Sequence, residues 1–284
     1  MSFIVGAYAL EMLNPILLGM DSQTFQALKE YPSELIPKLK WSQFISIFLV
    51  FGLPGMLFSY LAFPSMNSYL GFVKPQRNYY LLWGATLMLI ALPFSTLLEQ
   101  WNARIPMSAE MAEMNRHYEH LAMAMLKAGT WVELFYNTIL ICIVPAIIEE
   151  LLFRGVIQQI FSNWLRQWPF VAILFTAIIF SLLHFELSGF LPRLFLGFLL
   201  GFAYYVTGSL WVSILMHALN NFLIVWVAYL SQTNQISFSL SELPDMPIWI
   251  GLSSLAATLG FAYLFYKHRT VFPIHEVDKS DSES

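Results

Sequence analysis

Apolar residues in this chain come in long runs, separated by short polar interruptions. Runs near residues 2–20, 42–63, 79–98, 131–151, 170–187, 191–207, 209–230 and 246–266 approach the roughly 20 residues that a helix needs to cross a bilayer. They lack the period-2 alternation of barrel strands. In lipid, the backbone of such segments is satisfied only within helices or a closed barrel, so the pattern predicts about eight transmembrane helices. The fold class expected is all-α, a polytopic membrane helix bundle. The first run has no basic flank and is interrupted by Glu11 and Pro15, which favours a retained helix over a cleaved signal peptide.

The connections carry their own pattern. Residues 21–40 are polar and amphipathic. Residues 99–130 form the longest polar segment, in which Ser108 is placed to cap a helix with Glu110 and Glu113 in its first turns. Met111, Met114, Met123 and Met125 suit an interfacial helix, or simple packing against the bundle. The end, from Lys267 to Ser284, is polar and reads as a solvated tail. Lys74, Arg77, Arg166, Lys267 and Arg269 share one side under an eight-span reading, and Lys29, Lys38 and Lys40 lie on the other. This bias is small and leans towards a cytoplasmic C-terminus. No internal repeat is visible.

Composition agrees with the pattern. Of 284 residues, 58% are hydrophobic and only 11% charged, against about 25% charged in soluble domains. Mean hydropathy is +0.63. A net charge of −4 gives no argument for nucleic acid as a partner. The single cysteine, Cys142, excludes an internal disulfide and a zinc cluster of the Cys₄ or Cys₂His₂ kind.

Against this background the stretch IIEELLFRGV, residues 147–156, is anomalous. Each charge at the centre of a membrane helix costs roughly 2.5–3.5 kcal/mol. Glu150 and Arg154 are four apart with the glutamate first, the favourable order for an ion pair. Glu149 is rotated about 100° away and has no local partner. Pro145 releases the carbonyl of Ile141 and bends the helix just ahead of the pair. His184 closes the run AIIFSLLHF, and His217 and Asn221 share one helix face. Each of these alone is explained by interhelical hydrogen bonding. Gly197 and Gly201 form a small-residue face for close packing. Polar groups of acid-base type recurring in three separate spans point instead to a polar site inside the membrane.

Glu149-Glu150-x-x-x-Arg154, Phe180-x-x-x-His184 and His217-x-x-x-Asn221, in that order, resemble the CPBP or ABI family of CAAX prenyl protease-like intramembrane endopeptidases. The resemblance covers about residues 131–230. It divides the chain into N-terminal helices with a polar connection (1–130), a catalytic core (131–230), a last loop and helix (231–266) and a tail (267–284). It implies a multi-pass hydrolase that cuts a membrane-embedded or prenylated peptide, in a lipid bilayer, with bacterial members suggesting a bacterial plasma membrane. Some members are linked to bacteriocin self-immunity, so a non-enzymatic binding or immunity protein is the alternative. A transporter would also place carboxylates and histidines in the membrane, but would be expected to show inverted repeats.

Spacing and resemblance together give the expected roles. Glu149 activates a water as general base, and His184 orients that water. His217 and Asn221 donate to the developing oxyanion, and Glu150 and Arg154 support the helix. Glu149, His184 and His217 could instead ligate zinc, which accepts histidine and carboxylate. The chain has no HExxH, the usual zinc-helix signature, and the resemblance favours a metal-free glutamate mechanism, so no cofactor is expected.

Overall fold

The structure is a computed structural model that describes residues 17–21, 24–25, 28, 31–62, 69–184, 186–237 and 245–269. Most of the first predicted run and the tail beyond residue 269 lie outside these residues. The described chain is an all-helical membrane bundle. Its helices are α1 (Leu35–Ala62), α2 (Tyr79–Asn102), α3 (Ala109–Met125), α4 (131–164), α5 (Pro169–Leu182), α6 (Phe190–Thr207), α7 (Leu210–Gln232) and α8 (Ile248–Lys267). Among the described residues, α1, α2, α6, α7 and α8 are each long and apolar enough to cross a membrane, and α5 is a shorter apolar helix. The chain is an integral membrane protein.

Large apolar side chains cover the outside, among them Leu61, Leu82, Val132, Trp164 and Trp249. Charged and polar groups lie within, the distribution that hydrocarbon imposes. The predicted cap on α3 is present: Ser108 Oγ accepts the Met111 amide. Met111, Met114 and Met123 of that helix are exposed, whereas Met125 is buried in the core with Leu39, Leu134, Cys142 and Tyr229. Thr130 and Glu133 begin α4 with a reciprocal capping box.

Helix α4 is not uniform. Its α-helical turns are interrupted by π turns at Thr138–Ile143 and Phe153–Gln158. The first lies immediately before Pro145, which has no amide hydrogen for the Ile141 carbonyl, so the wider turn absorbs the missing bond. The segment Val144–Leu152, which carries both glutamates, is thus a short α-helical block between two π turns. Helices α1 and α7 pack against this block, and α5 packs against the π turn that follows it. Gly55 of α1 lets Leu151 close in, since a Cβ there would stand 2.5 Å from Leu151 Cδ2.

Helices α5 and α6 lie side by side, and α2 packs along α6, α7 and α8. Between α6 and α7 the chain reverses within Gly208 and Ser209. Gly208 adopts a left-handed φ of 61° and its amide returns to the Tyr204 carbonyl at 2.7 Å. Only glycine takes this backbone without strain. The short reversal sets α7 beside α6.

Two expectations need correction. Lys40 was expected in a polar connection, yet it lies within α1, 8% exposed. The polar interior is also larger than the motif spans. Gln158, Glu186 and Arg193 are buried as well, because each finds a partner only after the helices pack.

Candidate active site

The two glutamates of α4 diverge as their spacing predicts. Glu150 and Arg154 are fully buried and paired, with Arg154 Nη1 donating to Glu150 Oε1 at 2.8 Å. Arg154 uses its other arm on a different helix: Nη2 donates to the Gly197 carbonyl of α6 at 2.9 Å. One turn later Gln158 Nε2 repeats the move, donating to the Gly201 carbonyl at 2.9 Å. Gly197 and Gly201 make this possible by letting the backbone come close. A Cβ on Gly201 would sit 2.6 Å from Gln158 Oε1, and one on Gly197 would sit 3.1 Å from Phe180 Cδ1.

His217 of α7 completes the pair. Its Nδ1 lies 2.8 Å from Glu150 Oε1, the same oxygen that receives Arg154. A ring nitrogen facing a carboxylate acts as donor, so Nδ1 carries the proton and Nε2 faces the other way. Nε2 stands 3.9 Å from Glu149 Oε2. That oxygen is buried and makes no hydrogen bond. Glu150 and Arg154 therefore join α4 to α7 and α6, and the neighbouring Glu149 takes no part in those bonds.

His184 follows the end of α5. Its Nδ1 donates to the Phe180 carbonyl at 2.7 Å, which leaves Nε2 as the open nitrogen of a neutral ring. The Phe180 ring is the shared surface of the site. Its centroid lies 4.8 Å from that of His184 and 6.0 Å from that of His217, and the Arg154 guanidinium sits over it at 4.9 Å. Phe180 opens the Phe180-x-x-x-His184 motif, but spacing alone gives it no role.

Asn221 approaches the carbonyl that Pro145 releases: its Nδ2 stands 3.5 Å from Ile141 O, at the limit of a hydrogen bond. The neighbouring Asn220, which the sequence reading did not single out, donates to Asn221 Oδ1 at 3.3 Å. The loop after His184 is pinned by a second buried ion pair, Arg193 Nη1 to Glu186 Oε2 at 2.8 Å, and by Asn102 of α2, which accepts from the Leu191 amide at 2.9 Å. Nothing in the local sequence marks Glu186 and Arg193 as partners, since they lie on opposite sides of a loop.

Among the described residues, no three His, Cys, Asp or Glu side chains gather closely enough to hold a metal ion. Glu149, His184 and His217 do not form such a group as placed. The arrangement is that of a buried carboxylate beside the His217 imidazole, with the His184 imidazole against the same Phe180 ring, each imidazole having one nitrogen anchored and one open.

Residues 131–223 match a family model described as type II CAAX prenyl endopeptidase Rce1-like. Over this segment the chain is similar to the CAAX prenyl endopeptidase family. The matched segment contains Glu149, Glu150, Arg154, Phe180, His184, His217 and Asn221. No curated protein and no solved structure matches the chain.

Proposed function

We propose that this protein is an intramembrane endopeptidase that cuts a lipidated, CAAX-type peptide by glutamate-activated water, with residues 131–230 as its catalytic core, in a bacterial plasma membrane. The observation that carries the reading is the division of labour between adjacent glutamates. Glu150 is tied to two other side chains through Oε1, which accepts from Arg154 and His217 while its Oε2 has no partner; Glu149 Oε2 is buried without a hydrogen bond, 3.9 Å from His217 Nε2.

A water within about 2.8 Å of Glu149 Oε2 is well placed to lose a proton to it. The hydroxide attacks the scissile carbonyl carbon, and the carbonyl oxygen takes up the charge. His184, anchored through Nδ1, orients the water with Nε2. His217 donates to the oxyanion through Nε2 in its imidazolium form, in which Nδ1 keeps its own proton towards Glu150. Asn221 Nδ2 adds a neutral donor, and its long contact to Ile141 costs little to exchange. Glu149 then passes its proton to the departing amine, the C–N bond breaks, and the base is restored.

The test is cleavage of farnesylated CAAX peptides by purified protein in lipid vesicles, followed by mass spectrometry, with Glu149→Gln alongside. Products from wild type alone support the reading. Equal cleavage by both proteins overturns the role of Glu149. If neither cleaves and the peptide is retained by both, the alternative of a binding or self-immunity protein replaces it.

A further inference from the structure

A cavity of about 1020 Å³ opens between the start of α1, the end of α3 and the start of α4, away from the motif residues. Its floor holds Lys40. The ammonium donates to Asn137 Oδ1 at 2.6 Å and to the Lys127 carbonyl at 3.4 Å. An ammonium has three donors, and no carboxylate among the described residues lies within ion-pairing distance of this one. The one carboxylate lining the cavity among the described residues, Glu133, is engaged in capping α4, accepting from the amides of Gly129 and Thr130 at 2.8 and 3.0 Å. Lys127 and His120 also line the space, so its charge is suited to an anion.

The rim is apolar and outward-facing. Trp41, Met123, Val132 and Tyr136 all line the opening and are exposed. A cation at the floor with aromatic and aliphatic groups at the mouth fits an amphiphile, with its anionic head inside and its chains along the rim. Reach separates the sources of such an anion. Asn137, beside Lys40, and Glu149 stand about 18 Å apart along α4 at the helical rise. A peptide cut at its third residue from the end extends only about 10 Å to its carboxylate. A substrate's C-terminus bound at Lys40 would fall short of Glu149.

We propose that this cavity is a binding site for an anionic phospholipid, with the headgroup phosphate on Lys40 and the acyl chains against Trp41, Val132 and Tyr136. The site is independent of whether the motif residues cleave peptides.

Native mass spectrometry of the full chain in detergent, titrated with phosphatidylglycerol and phosphatidylcholine of equal chain length, tests it. Wild type is expected to retain phosphatidylglycerol about fivefold better, the effect of one lysine near an anionic headgroup. Lys40→Met is expected to abolish the preference, and Lys38→Met, an exposed neighbour, to keep it. Gly129→Leu provides a second variant that leaves Lys40 and its bonds intact. A Cβ at Gly129 meets only Glu133 Oε2, at 3.8 Å, and the longer side chain fills the cavity, so the preference should fall here too. A preference that survives in both Lys40→Met and Gly129→Leu overturns the proposal, as does one lost equally in Lys38→Met. Glycerol phosphate binding as well as the lipid would make the site one for free anions. Displacement of the lipid by a farnesylated peptide would make it a substrate site. Either result overturns the assignment to phospholipid.

Discussion

His217 Nδ1 lies 2.8 Å from Glu150 Oε1, across 67 residues of sequence, and shares that oxygen with Arg154. One carboxylate oxygen thereby ties α7 to α4, while the other arm of Arg154 ties α4 to α6. The most buried charges among the described residues, Glu150 and Arg154, are joints between helices, and they fix where the second nitrogen of His217 points. Adjacent glutamates should therefore fail in different ways when altered.

Glu149→Gln removes the base but leaves Glu150, Arg154 and His217 as they are. Peptide cleavage should be lost with Tm within a degree or two of wild type, as read by thermal unfolding in detergent beside the cleavage assay. A large fall in Tm would show that Glu149 is structural.

Glu150→Gln should fail by unfolding. It leaves the Arg154 guanidinium buried with only carbonyl and ring partners, and breaking a buried pair costs roughly 3–5 kcal/mol. Replacing both partners, as Glu150→Met with Arg154→Met, removes the uncompensated charge and should recover much of the stability. Activity should stay lost, because His217 no longer has its anchor. Recovery of activity in the double variant would contradict the positioning role.

Gly197→Ala places a methyl 3.1 Å from Phe180 Cδ1. Overpacking of this kind costs about 1–3 kcal/mol. The displaced ring carries Arg154 on its face and His184 and His217 at its edges. Turnover should fall more than the change in KM accounts for, and Phe180→Leu in the same chain should restore Tm without restoring turnover. An unchanged rate in Gly197→Ala would show that the ring does not set the imidazoles.

Asn221→Ala separates catalysis from packing. Its contact with Ile141 O on α4, at 3.5 Å, is long, so the stability cost should stay below about 1 kcal/mol. Cleavage should nevertheless fall by about 10²- to 10³-fold, the usual effect of deleting one oxyanion donor. Loss of stability matching the loss of rate would assign Asn221 to helix packing instead.

Hydrophobic runs of about 20 residues determined by themselves that this chain is a helical membrane bundle, because the bilayer leaves the backbone few alternatives. The i, i+4 spacing of Glu150 and Arg154 likewise fixed their pair, and Pro145 marked the carbonyl that would need another donor, since both are effects within one turn of helix. The N-terminal bounds of α1 were less legible, because Lys40 is a solvent residue by composition and becomes an interior one only when Asn137 accepts from it. Packing alone decided that Glu150, not Glu149, anchors His217, that Phe180 spans both imidazoles, and that Gln158 reaches Gly201. It also decided that Arg193 and Glu186 pair across the loop behind His184. These are contacts between helices, set by rotation and approach distance, and π turns within α4 shift that rotation by amounts the sequence pattern does not display.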